Sequence, residues 1–234
     1  MSAFSASWRK EFKDYFVSPI AYMAIAIFLL VTGWFFFSTF FIQDQASLRA
    51  FFNLLPMTFA FVIPALTMRL FAEEFNVGSY EILITMPVSP VHIIASKFLA
   101  AVCMIAAMLA PTVVYALCIA WLGDLDPGPV IGGYLGAILL GASFAAIGLF
   151  TSALTKNQII AYILGALICF ALTLINQMLF FMPAGILDLV QFMAASYHFQ
   201  NIAKGVIDTR DIIYFASLIF IGLYLTTLAI LSRE

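Results

Sequence analysis

The chain has 234 residues, of which 65 % are hydrophobic and only 9 % charged, with a formal net charge of −2. Soluble domains carry about a quarter charged residues, so this composition points to a membrane protein. Ten Lys+Arg against 12 Asp+Glu, with no basic run, exclude a nucleic-acid-binding chain.

A spanning helix needs roughly 20 apolar residues to cross about 30 Å of hydrocarbon. Six charge-free stretches are long enough: 15–43, 50–68, 98–123, 127–155, 157–187 and 212–232. Two more, 82–96 and 189–203, contain 15 residues each. At 1.5 Å per residue these reach only about 22 Å, too short to cross.

In chain order, residues 1–18 come first. Phe4, Trp8, Phe12 and Phe16 recur every fourth residue, while Arg9, Lys10 and Lys13 fall on other faces. The spacing predicts an amphipathic helix on the membrane surface, with Trp8 toward the acyl boundary and Arg9, Lys10 and Lys13 toward lipid phosphates. Ser18-Pro19 ends it, because the residue before proline disfavours the helical conformation. The first spanning helix is expected at 20–42; it is too long for a signal-peptide core and no A-x-A cleavage pattern follows it, so no cleaved leader is expected.

A second span at 51–70 leads into 71–97. Glu73, Glu74 and Glu81 sit here beside a membrane surface whose lipids should repel them, which makes more sense if a protein surface faces them. Gly78-Ser79 supplies a turn and an N-cap for a short helix from Tyr80, Met86-Pro87 stops it, and Ser89-Pro90 opens the helix that continues through Lys97 into the third span, 98–122. A solvated loop with scattered charge is the alternative reading of this segment.

The fourth span, 130–152, carries Gly132, Gly133, Gly136, Gly141, Ala145, Gly148 and Ser152. Small residues let helix backbones approach closely in lipid, but do not say whether the neighbour belongs to the same chain. A fifth span is expected at 159–181. Between it and the sixth, 212–231, the segment 184–205 holds Phe192, Tyr197, His198 and Phe199. It reads either as a re-entrant element or as a helix lying on the surface. His198, flanked by aromatics, reads as a packing residue at the interface.

Counting Lys and Arg on alternate sides of six spans places Arg9, Lys10, Lys13, Arg69, Lys97, Lys156 and Arg233 on one side, against Arg49, Lys204 and Arg210 on the other. The positive-inside rule then puts both termini in the cytoplasm. No span has an ionisable residue near its middle, which argues against an ion-coupled carrier. No G-x-x-x-x-G-K-[ST] motif occurs, so the chain has no nucleotide site of that type. Cys103, Cys118 and Cys169 lie inside spans without metal-ligand spacing, and the pairs Met104/Met108 and Met178/Met182 read as flexible apolar filler. Ser143 and His198 are the nearest approach to a nucleophile and base, without the motif of an intramembrane protease.

The run from Arg69 through Glu73-Glu74, Gly78-Ser79-Tyr80-Glu81, Ile82-Leu83-Ile84 and Met86-Pro87-Val88-Ser89 to Lys97-Phe98 resembles the signature of ABC-2 type permeases, the membrane subunits of ATP-binding-cassette exporters. Ser79 stands where threonine is usual in that pattern. Lys10-Glu11-Phe12 through Ser18-Pro19-Ile20-Ala21-Tyr22, and the stretch from Tyr197-His198-Phe199 to Asp208 and Asp211, resemble in particular the permeases of gliding-motility and nitrous-oxide-reductase-maturation transporters.

The resemblance implies an all-α membrane fold of six spans with an N-terminal elbow helix (1–18), a coupling segment (71–97) and a re-entrant segment (184–205). It implies a bacterial inner-membrane subunit that is not itself an enzyme and holds no cofactor or metal. Two copies of a cytoplasmic ATPase, binding ATP and Mg, would dock through Arg69, Glu73, Glu74, Gly78, Ser79, Glu81 and Pro87. A second copy of the chain or a related permease would complete the membrane part, and the resemblance leaves room for an extracytoplasmic accessory protein. The competing functional reading is an autonomous channel or ion-coupled carrier.

Overall fold

The computed structural model describes residues 3–43, 47–80, 89–123, 126–178, 191–206 and 208–232, and every element named among them is helical. The elements are α1 (Ala3–Val17), α2 (Pro19–Gln43), α3 (Arg49–Thr67), α4 (Arg69–Val77), α5 (Pro90–Leu109), a 3-10 turn (Ala110–Thr112), α6 (Val113–Leu122), α7 (Pro127–Leu154), α8 (Gln158–Met178), α9 (Ala195–Ala203) and α10 (Thr209–Leu231). Among the described residues six helical stretches are long and apolar enough to cross a membrane: Pro19–Ser38, Arg49–Val77, Pro90–Leu122, Pro127–Leu154, Gln158–Met178 and Thr209–Leu231.

The breaks have local causes. Pro90 occupies the first turn of α5, where its missing N–H costs nothing. Pro111 sits inside the long α5–α6 stretch and tightens one turn to 3-10 geometry instead of ending the span. Asp126 caps α7 by accepting from the Gly128 N–H at 3.1 Å, and Asp208 caps α10 by accepting from the Arg210 N–H at 3.0 Å. Gly78 closes α4 in the left-handed region at φ +76°, where a Cβ would be strained. The short helix expected from Tyr80 to Met86, with Glu81 and Pro87, lies outside the described residues beyond Tyr80.

α7 is the central post, packed on α3, α4, α5, α8, α9 and α10. Its small residues answer the question the sequence left open, because their neighbours lie in the same chain. A Cβ on Gly132 would fall 2.4 Å from the Ile202 carbonyl oxygen, and one on Gly133 would fall 2.3 Å from the Phe52 ring. One on Gly148 would meet the Thr67 hydroxyl oxygen at 2.0 Å. Such close approach gives dispersion contact where lipid offers no hydrophobic drive to hold helices together.

Candidate functional site

The densest polar constellation lies where α1, α4 and α5 meet. Lys97 occurs two turns into an apolar helix and is 1 % exposed. Its ammonium reaches Glu74 Oε1 on α4 at 2.6 Å and Glu11 Oε1 on α1 at 3.1 Å, and lies 5.2 Å from the centre of the Phe71 ring. A lone lysine here would be costly to desolvate, and two carboxylates offset that cost only if both stay in place. Glu74 Oε2 is buried without a hydrogen-bond partner among the described residues, so the carboxylate is held from one oxygen.

One turn away, Arg69 donates to the Ser18 hydroxyl at the α1–α2 junction and lies 5.4 Å over the Tyr15 ring. The Tyr15 hydroxyl donates to the Leu66 carbonyl at 3.2 Å. Burial pushes the Tyr15 phenol well above its ordinary range, which keeps it a donor. From the other side, the Ser152 hydroxyl of α7 donates to the Met68 carbonyl at 2.7 Å and accepts from the Phe71 and Ala72 N–H groups at 3.0 and 3.1 Å. One serine thus bridges the α3–α4 break and satisfies two first-turn donors of α4. Phe71, Phe75 and Tyr80 form a ring cluster beneath, with the Phe75 and Tyr80 centroids 4.8 Å apart. A cavity of about 450 Å³ opens between α1 and α4, with Lys10, Asp14, Arg69, Glu73, Glu74 and Ser79 in its wall.

Of the residues predicted to face a partner, Glu73 is exposed, whereas Glu74 turns inward to Lys97. Arg69 is an internal brace as well. Ser79 donates to the Glu74 carbonyl at 3.5 Å, beside the exposed Gly78. In α1, Trp8 stacks on Phe12 at 5.6 Å and Phe12 contacts Phe16 at 4.8 Å, while Arg9, Lys10 and Lys13 are exposed. Glu11 and Tyr15, not singled out from the sequence, form the contact of α1 with the bundle. The signal that could have found Glu11 is Lys97 itself, an isolated cation inside an apolar helix that demands an anion.

At the other end of the bundle His198 is 2 % exposed and packs against the rings of Phe192, Tyr214 and Phe215. Its Nδ1 meets Asp211 Oδ1 at 2.6 Å, and its Nε2 donates to the Phe192 carbonyl at 2.9 Å. Because a carbonyl can only accept, Nε2 carries the hydrogen of that bond. The imidazole stacks on Tyr214 at 4.0 Å, and the Tyr214 hydroxyl donates to the Met193 carbonyl at 2.7 Å. Phe199 is fully buried beneath Gly136, and Tyr197 is half-buried. These contacts fasten α9 and the turn before it to α10; residues 184–190 of the predicted re-entrant segment lie outside the described residues. Ser143 donates to the Leu139 carbonyl at 2.9 Å and to the Phe215 carbonyl at 3.4 Å, so its hydroxyl is engaged elsewhere than with His198.

Six helical stretches long and apolar enough to cross, one of them a small-residue post, with charge concentrated at the two ends, define a multi-pass membrane domain. The ABC-2 type transporter family matches residues 2–176, three quarters of the chain, and the chain belongs to that family. It is therefore the membrane permease component of an ATP-binding-cassette transporter, and membership implies association with a cytoplasmic ABC ATPase as well as with the bilayer. A search of curated proteins finds no match.

Proposed function

We propose that this chain couples ATP hydrolysis in a separate cytoplasmic ATPase to movement or conformational work across the membrane, and that the helix junction at Lys97 receives the stroke. The observation that carries this reading is the ammonium of Lys97 gripping α1 and α4 at once, at 3.1 and 2.6 Å. A push on α4 is then delivered to α5 and α1 through buried ion pairs instead of being absorbed by a loop. Exposed Glu73, together with Gly78, Ser79, Glu81 and Pro87, forms the surface that the ATPase grips. α1 acts as the elbow helix on the inner leaflet, and the segment around α9 covers the opposite end of the pathway. ATP and Mg belong to the ATPase, which is present in two copies. The membrane part is completed by a second copy of this chain or a related permease in a bacterial inner membrane, with both termini cytoplasmic. The sequence similarities favour the gliding-motility and nitrous-oxide-reductase-maturation branch, whose members leave room for an extracytoplasmic accessory protein.

Copurification tests the assignment. The chain carrying Glu73→Lys and Glu81→Lys should fold and insert normally but lose its ATPase partner and all ATP-dependent activity. Unaltered ATP-dependent activity in that variant, or full function in liposomes without any ATPase, would refute it.

A further inference from the structure

At the end of the bundle away from α1, a cavity of about 450 Å³ is walled by Arg49, Phe52 and Asn53 from the first turn of α3, Gln177 from the last turn of α8, and Gln200 and Lys204 at the end of α9. This volume lies within the range of small-ligand sites, about 300–1,000 Å³. A smaller cavity of about 100 Å³ shares Arg49, Phe52 and Lys204 and continues toward Asp126. Among the described residues, the side chains of Arg49, Asn53, Gln177, Gln200 and Lys204 make no hydrogen bond or ion pair, and no carboxylate lines the larger cavity. Two cations and three carboxamides therefore converge on one space, with no partner for their side chains among the described residues.

We infer that this cavity binds the headgroup of an anionic, hydroxyl-bearing phospholipid. The guanidinium fork and the ammonium match a phosphodiester, and the carboxamides can donate to and accept from headgroup hydroxyls. Depth points to a lipid instead of a free anion. α3 and α8 belong to stretches long and apolar enough to cross, and the cavity sits at their ends, where a spanning helix meets the headgroup layer. From Asn53 an apolar track leads into the bilayer along the same face of α3. Met57 and Phe61 follow at intervals of four residues, are 39 % and 45 % exposed, and Phe61 contacts Phe170 of α8 at 5.4 Å. An acyl chain fits that track, whereas a soluble phosphate ester would leave it empty.

The test uses the full-length protein in nanodiscs containing a photoactivatable phosphatidylglycerol, with labelled peptides mapped after digestion. Labelling should concentrate on residues 49–57 and 200–204 and be competed by phosphatidylglycerol but not by phosphatidylcholine. Each cation near a membrane surface contributes about 1 kcal/mol, so Arg49→Gln with Lys204→Gln should weaken competition by phosphatidylglycerol about thirtyfold. Thr155→Gln with Asn157→Gln, at the opposite end, should leave this labelling unchanged and serves as the control. Soluble glycerol 3-phosphate should not compete at millimolar concentration. Equal competition by phosphatidylcholine, or labelling unaffected by the Arg49/Lys204 pair, would overturn the proposal. Efficient competition by glycerol 3-phosphate would overturn the lipid assignment in favour of a free-anion site.

Discussion

Replacing Lys97 by Met keeps length and apolar volume and removes only the charge. Two carboxylates, 2.6 and 3.1 Å from the lost ammonium, are then left facing each other in a region where Glu11 and Glu74 side chains are 9 % and 16 % exposed. Breaking a buried ion pair from one side costs about 3–5 kcal/mol, because the remaining charge is desolvated without compensation. For a chain of this size 1 kcal/mol corresponds to about 2–4 °C, so the melting temperature in detergent should fall by on the order of 10 °C. The triple variant Lys97→Met, Glu11→Gln, Glu74→Gln removes all three charges and should recover most of that loss. High salt should change little, since an ion pair whose ammonium is 1 % exposed is poorly screened. The informative comparison is between stability and coupling: the triple variant should melt near wild type yet lose ATP-dependent activity, because α1, α4 and α5 no longer share an electrostatic joint. A Lys97→Met protein that melts within about 2 °C of wild type, or a triple variant no more stable than the single one, would refute the reasoning.

Other consequences are open to direct measurement. Cysteine placed at Gly78 should be labelled only from the cytoplasm and cysteine at Asp208 only from the opposite side; reaction of both from one side would dismantle the six-span topology. Gly148→Ala puts a methyl 2.0 Å from the Thr67 hydroxyl oxygen and should destabilise by about 1–3 kcal/mol, seen as a lower melting temperature. Gly78→Ala meets no atom within 4 Å but must hold φ +76°, and should cost about 1–2 kcal/mol in the same assay. Asp211→Leu strands the His198 imidazole and should raise protease sensitivity across 191–203. Adding His198→Phe should reverse much of that rise, since an apolar pair leaves nothing unsatisfied.

The spans were legible where charges mark their limits: Asp126 and Lys156 flank the stretch that folds as α7, whereas Lys97, read as the start of the third span, lies two turns inside α5. Proline positions were legible only in part. Ser18-Pro19 and Ser89-Pro90 mark the junctions expected of them, but Pro111 bends a span into a 3-10 turn without ending it. The site resisted reading for a different reason. Glu11 and Lys97 lie 86 residues apart, and nothing local in Lys10-Glu11-Phe12 distinguishes a buried carboxylate from a surface one. The carboxylates of 71–97 looked alike in sequence, yet helical periodicity sends Glu73 outward and Glu74 onto Lys97. The partner of His198 was not legible, because Tyr197 and Phe199 beside it point to packing alone and Asp211 looked like no more than the boundary of the last span.

Both ends of the molecule now share one construction principle. On each side a helix too short to cross is tied to a crossing helix by a buried acid-base contact: α4 to α5 through Glu74 and Lys97, and α9 to α10 through His198 and Asp211. α7 touches both short helices, through Ser152 at α4 and through Gly132 and Gly136 at α9. Those positions are twenty or fewer residues apart on one helix, about 30 Å at 1.5 Å per residue, which is the thickness of the hydrocarbon core. A helix cannot be compressed appreciably along its axis, and α7 is packed against neighbours along its whole length. Under the proposed coupling, a shift imposed on α4 is passed to α7 at Ser152 and reaches α9 as a rigid displacement, without any ionisable group in the middle of the span to carry it.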